Sequence, residues 1–164
     1  MAEQKQWEGT VSVKLTSSTA DQIWPLYVDF CNLHKWVAII DMCQHVEGSP
    51  KPAQPGCIRY VSGPGTQLPD GTEGPRIWAN EKLLTIDHTK RCLSYEVTED
   101  NMGFNNYVAN IKVLPGENDN QNGCLIEWTY VTDPVDGMTS EHLVSLLSST
   151  LHTMAKRMEE AIHG

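Results

Sequence analysis

No run of apolar residues in this 164-residue chain approaches the roughly 20 needed to cross a bilayer, which argues against a spanning helix. Basic residues are scarce, with 12 Lys and Arg against 21 Asp and Glu and a formal net charge of -9. A field of that sign repels a phosphate backbone and anionic lipid headgroups alike, so neither nucleic acid nor a membrane is expected as a partner. The segment MAEQKQWEGT lacks a basic stretch followed by an apolar one, and a cytoplasmic location is the expectation. Internal repeats and low-complexity tracts are missing too, which leaves an ordinary globular composition. The length suits one domain over 1–164. Cys31, Cys43, Cys57, Cys92 and Cys124 form no C-x-x-C pair and have no histidine at zinc spacing. Free thiols are expected, with no metal and no cofactor.

What is present is a strong alternation. WEGTVSVKL sets Trp7, Gly9, Val11, Val13 and Leu15 against Glu8, Thr10, Ser12 and Lys14, the pattern of a half-buried strand. Thr19 is placed to cap a helix whose apolar positions Ile23, Trp24, Tyr27, Val28 and Phe30 recur at helical spacing, with Pro25 expected near its first turn. CNLHKW predicts a second short helix or turn. From Ile40 onward the chain reads as short strands, IDMCQHVEG, GCIRYVSG, RIWANEKLL, CLSYEVTE, NNYVANIKVL and GCLIEWTYVT. Clusters of Gly, Pro, Asn and Asp separate them, as in an antiparallel meander. The acidic, Asn-rich PGENDNQNG reads as a solvated hairpin tip. A long amphipathic helix closes the chain from Thr139 or Ser140, with Leu143, Leu147, Thr150, Leu151, Met154, Met158 and Ile162 on one stripe. The architecture predicted is α+β, a strongly curved sheet wrapped round the final helix with a cavity between them.

Two charges sit on apolar strand faces. In GCIRYV, Arg59 shares its face with Cys57 and Val61; in RIWANEKLL, Glu81 shares its face with Ile77, Ala79 and Leu83. The two strands are consecutive in the meander, so the charges can meet across them. Either they form an inward pair at a site, or they are a surface pair on an outward face. Tyr95, Tyr107 and Trp128 sit among the inward residues of later strands, where large aromatics with a polar handle serve as core or pocket wall. SGPGTQLPDGTEG has no phosphate-loop spacing and reads as a mobile loop, a candidate lid.

Taken in order, WEGTV, QIWPLYVDFCNLHKW, VEG, GCIRYV, WANEKL, SYEVTE and EWTYV resemble the plant lachrymatory-factor synthases, within the START-like and Bet v 1-like helix-grip superfamily. That resemblance implies a seven-stranded sheet gripping the C-terminal helix, over nearly the whole of residues 1–164. It implies Arg59 and Glu81 as the catalytic pair, with Tyr95, Tyr107 and Trp128 lining the pocket. Met154 stands where those synthases carry a tryptophan, and the loop between the Arg and Glu strands is longer. The implied reaction is isomerase-type: an alkenyl sulfenic acid becomes a thial S-oxide, supplied by an upstream cysteine-sulfoxide lyase. The alternatives are a carrier or sensor of a small apolar metabolite, a lyase of the hydroxynitrile type, and an interaction module. The related abscisic acid receptors are a poorer match. Their Ser-Gly-Leu-Pro-Ala gate is replaced by Ser62, Gly63, Pro64, Gly65 and Thr66, their latch by Met102, Gly103, Phe104 and Asn105, and their carboxylate-binding lysine by Asp41.

Overall fold

The computed structural model describes residues 5–65, 68–116 and 122–164. The tip of the Asn-rich hairpin, 117–121, and residues 66–67 of the Gly-rich segment lie outside the described residues. Strand β1 (Trp7–Leu15) is followed by helix α1 (Ala20–Val28) and a short 3-10 helix (Phe30–Lys35). Six further strands follow: β2 (Met42–His45), β3 (Ile58–Gly63), β4 (Ile77–Asp87), β5 (Cys92–Asp100), β6 (Val108–Pro115) and β7 (Cys124–Thr132). Helix α2 (Ser140–His163) ends the chain.

The sheet is antiparallel in the order β1-β7-β6-β5-β4-β3-β2, a meander from β2 to β7 closed by β1 against β7. Its concave face takes α2, whose Leu143, Leu147, Leu151, Met154 and Met158 are buried at the i, i+4 and i, i+3 spacing of one stripe. The result is the α+β helix-grip architecture the alternation predicts, with the two short helices after β1. Among the described residues no helix is long and apolar enough to cross a membrane.

Local chemistry sets the element ends. Thr19 Oγ1 accepts from the Gln22 backbone N–H at 3.1 Å while Gln22 Oε1 accepts from the Thr19 N–H at 2.9 Å, a complete capping box for α1. Thr139 Oγ1 accepts from the His142 N–H at 3.0 Å and starts α2 where the sequence predicts.

Three sequence expectations are corrected. Pro25 is not in the first turn of α1 but beyond it; it and Asp21, to whose carbonyl it cannot donate, are both exposed. Phe30 is not on α1, because Asp29 leaves helical geometry at φ -72, ψ 65 and the chain re-enters as the 3-10 helix. The strand predicted over IDMCQHVEG shrinks to Met42–His45, since Ile40 is held in a turn on Val37 and Gly48 turns the chain at φ 93.

Candidate functional site

The β3–β4 register places Arg59 directly opposite Glu81. Both face the concave side: Arg59 is 5% exposed, between buried Cys57 and Val61, and the Glu81 side chain is 13% exposed, between buried Ala79 and Leu83. The inward reading of the charges is the one the fold adopts. Arg59 Nε donates to Glu81 Oε1 at 2.7 Å, and Nη1 donates to the Phe30 carbonyl at 3.0 Å. The guanidinium lies over the Phe30 ring, 3.9 Å from its centroid, and 5.0 Å from that of Tyr95. A planar cation held by a carboxylate, a carbonyl and two ring faces has little freedom left. Among the described residues no hydrogen bond engages Arg59 Nη2 or Glu81 Oε2, so the pair keeps a donor and an acceptor in reserve.

This pair borders a cavity of about 160 Å³ between the sheet, α1, the 3-10 helix and α2. All six residues singled out from the sequence, Arg59, Glu81, Tyr95, Tyr107, Trp128 and Met154, line it. The rest of the wall is nearly all carbon, from residues such as Val37, Val61, Ala79, Leu93 and Leu147. An apolar cavity of about 150 Å³ holds a benzene-sized guest, so the space suits a small organic molecule. Tyr95 and Tyr107 stand 6.2 Å apart between ring centroids, and Tyr107 stacks on Tyr130 at 6.4 Å. The buried Trp128 indole N–H makes no hydrogen bond among the described residues.

Electrostatics fix the protonation of the donors. Burial opposes the Arg59 charge, but the Glu81 carboxylate beside it more than offsets this, and the guanidinium pKa ends above its ordinary value. Burial pushes the Tyr95 phenol well up, with Tyr107 and the negative Glu81 adding to it; burial raises Tyr107 likewise. Both tyrosines are therefore neutral hydroxyls at neutral pH. The five cysteines are free thiols outside the cavity wall. Cys31 Sγ lies 3.9 Å from Cys57 Sγ, and burial, then Cys57, raises the Cys31 thiol to about 12. No cluster of three or more metal-ligating side chains occurs among the described residues.

Sequence reasoning missed Phe30 and Tyr27 as cavity residues. Phe30 acts through its backbone carbonyl, which no side-chain pattern reports; Tyr27 was read only as a member of the α1 stripe. Ile39, Ile77 and Phe104 at the cavity wall were missed as well, two of them because they lie in loops without periodicity.

The solved structures that superpose on this fold include the protein XoxI of Bacillus cereus, with a TM-score of 0.69 at 23% identity over 94% of each chain. An uncharacterized protein of Bacillus thuringiensis superposes with a TM-score of 0.68 at 23% identity, covering 94% of this chain and 97% of its own. At such identity the likeness is one of fold, and both of these neighbours are bacterial, which lends no support to a plant origin. The sequence model for polyketide cyclase / dehydrase and lipid transport proteins matches residues 6–161. With that match spanning both the sheet and the helix that enclose the cavity, the chain belongs to the polyketide cyclase / dehydrase and lipid transport family.

Proposed function

We propose that this pocket protein takes up a small, uncharged, largely apolar molecule bearing one oxygen function and moves a proton on it without a cofactor. The observation that carries the reading is the Arg59–Glu81 pair, joined at 2.7 Å and buried beside an otherwise apolar cavity. A buried ion pair is weak evidence for stability, since desolvation consumes most of the Coulombic gain. A fixed donor next to a fixed acceptor is better explained by chemistry. Arg59 holds and polarises the oxygen, Glu81 takes a proton and returns it elsewhere on the substrate, and the Tyr95 and Tyr107 hydroxyls orient it.

For an alkenyl sulfenic acid, the resemblance of the GCIRYV and WANEKL strands supports a specific course. Glu81 removes the O–H proton and delivers it to the alkene carbon remote from sulfur. The double bond moves from C=C to C=S, and the product, a thial S-oxide, has the same atoms as the substrate. An upstream cysteine-sulfoxide lyase would be the source of that acid. The apolar remainder of the wall favours a second reading, a carrier that retains a metabolite by burial alone. Lyase chemistry on a cyanohydrin would use the same donor and acceptor.

The test supplies the purified protein with a cysteine-sulfoxide lyase and an alkenyl cysteine sulfoxide, and scores thial S-oxide against the spontaneous thiosulfinate. Product that disappears in Glu81→Gln supports the synthase. Binding without turnover of any such substrate by the folded wild type moves the assignment to a carrier.

A further inference from the structure

The walls above the ion pair are graded. On β3 the inward positions run Arg59, Val61, Gly63; on β4 they run Glu81, Ala79, Ile77, and the register pairs them rung by rung. The four steps from Arg59 to Gly63 span roughly 13 Å at about 3.3 Å per residue. After the first rung every inward side chain is apolar or absent. Gly63 backs directly onto Ile39, whose carbonyl lies 1.9 Å from where a Cβ on Gly63 would stand. The climb therefore ends at Ile39. On the opposite wall α2 contributes Met154, Leu147 and Leu146.

The β3 rungs from Arg59 to Gly63 are all buried, and among the described residues that line the cavity marked exposure is found only at Ile39 and Leu146. Arg59 is 5% exposed, whereas Ile39 is 49% and Leu146 36% exposed, although both line the cavity. Single exposed apolar side chains are ordinary. Two of them lining one apolar shaft that has the charged groups at its foot mark where that shaft reaches the surface.

Resting on the reading that the Arg59–Glu81 pair receives the polar head, we propose that the ligand is a linear amphiphile held head down, with Ile39 and Leu146 as an apolar lip that selects for chain length. The head is uncharged and carries both a donor and an acceptor. Anions are disfavoured by Glu81 Oε2 and cations by Arg59 Nη2, while a hydroxyl, a primary amide or a sulfenic acid satisfies both atoms at once. A tail longer than the shaft is not excluded by a closed end; it lies across the lip and gains from it.

Straight-chain primary amides from propanamide to octanamide, which undergo no proton shift, test this by titration calorimetry. Affinity is expected to rise about fourfold per methylene within the shaft, and about twofold per methylene once the chain reaches the half-exposed lip. Leu146→Ser, and separately Ile39→Ser, should remove the gain of the longer amides and leave propanamide unchanged. A wild-type affinity that stops rising at butanamide, or variants that weaken short and long amides equally, would overturn the lip. Failure of the underlying reading looks different: Glu81→Gln or Arg59→Leu would then leave the affinity of every amide unchanged, whatever the dependence on length.

Discussion

Arg59 and Glu81 occupy directly paired positions on β3 and β4, and their side chains close a 2.7 Å ion pair on the concave, water-poor face of the sheet. The guanidinium is further held by the Phe30 carbonyl. Removing either partner has separable effects on stability and on chemistry.

Glu81→Gln keeps the shape and a hydrogen-bond acceptor for Arg59 but cannot take a proton. Turnover is expected to fall by about 10²-fold or more, the usual worth of a general acid-base group. Circular dichroism should stay close to wild type, while the urea midpoint falls because the buried guanidinium loses its counter-charge. Arg59→Leu leaves a carboxylate without its cation and should cost about 3 kcal/mol in urea denaturation. Arg59→Leu with Glu81→Leu should recover much of that loss; a double variant no more stable than Arg59→Leu would mean the pair is not the source.

Gly63→Ala tests the backbone approach at the lip. A Cβ there meets the Ile39 carbonyl at 1.9 Å, so β3 or the segment before β2 has to move. Overpacking of this kind costs on the order of 2 kcal/mol. Thermal unfolding should shift down by several degrees, and an unchanged midpoint would show that the two segments are not in contact.

Alkaline pH should unfold the protein progressively. Burial raises the folded-state Cys31 thiol from 9.0 to about 12, helped by Cys57, and the Cys124 thiol from 9.0 to about 11, helped by Glu159. Unfolding releases these protons above pH 9, so this stability is complete below pH 9 and is lost as pH climbs through the folded values. The buried phenols Tyr27, Tyr95 and Tyr107, also raised by burial, add to the loss at still higher pH. Urea midpoints measured from neutral pH upward should be flat and then fall; a flat profile to pH 11 would contradict the burial of these groups.

Met154→Trp tests the floor of the pocket. Met154 is 3% exposed and lines the cavity, so added bulk has only the cavity to enter. Propanamide and octanamide should both lose at least tenfold in affinity, because the head they share is seated at the foot of the shaft. Stability should shift by less than about 1 kcal/mol, because the new ring fills space rather than displacing packed neighbours. A loss confined to octanamide would place the head elsewhere.

The alternation in WEGTVSVKL, CLSYEVTE and GCLIEWTYVT was enough to assign strand faces, since side chains two apart on a strand share a side whatever surrounds them. By that rule Tyr95, Tyr107 and Trp128 read as inward, while Arg59 and Glu81 read as charges on apolar faces that could turn either way; all five line the cavity. Element ends were less legible. Phe30 continues the spacing of α1, yet Asp29 breaks the helix before it, an outcome settled by the packing of the Phe30 ring on a guanidinium from another strand. Pro25 likewise sits one turn deeper than its missing N–H suggests, tolerated because that flank of α1 is wet.

What the chain's own residues determined, then, is local: the period of each strand, the caps at Thr19 and Thr139, and the presence of an arginine and a glutamate where apolar residues belong. Tertiary structure decided the register that sets Arg59 opposite Glu81, the Phe30 carbonyl that immobilises the guanidinium, and the approach of Ile39 to Gly63 that ends the shaft. Those are contacts between segments distant in sequence, and their geometry follows from strand pairing and close packing, which no local pattern encodes.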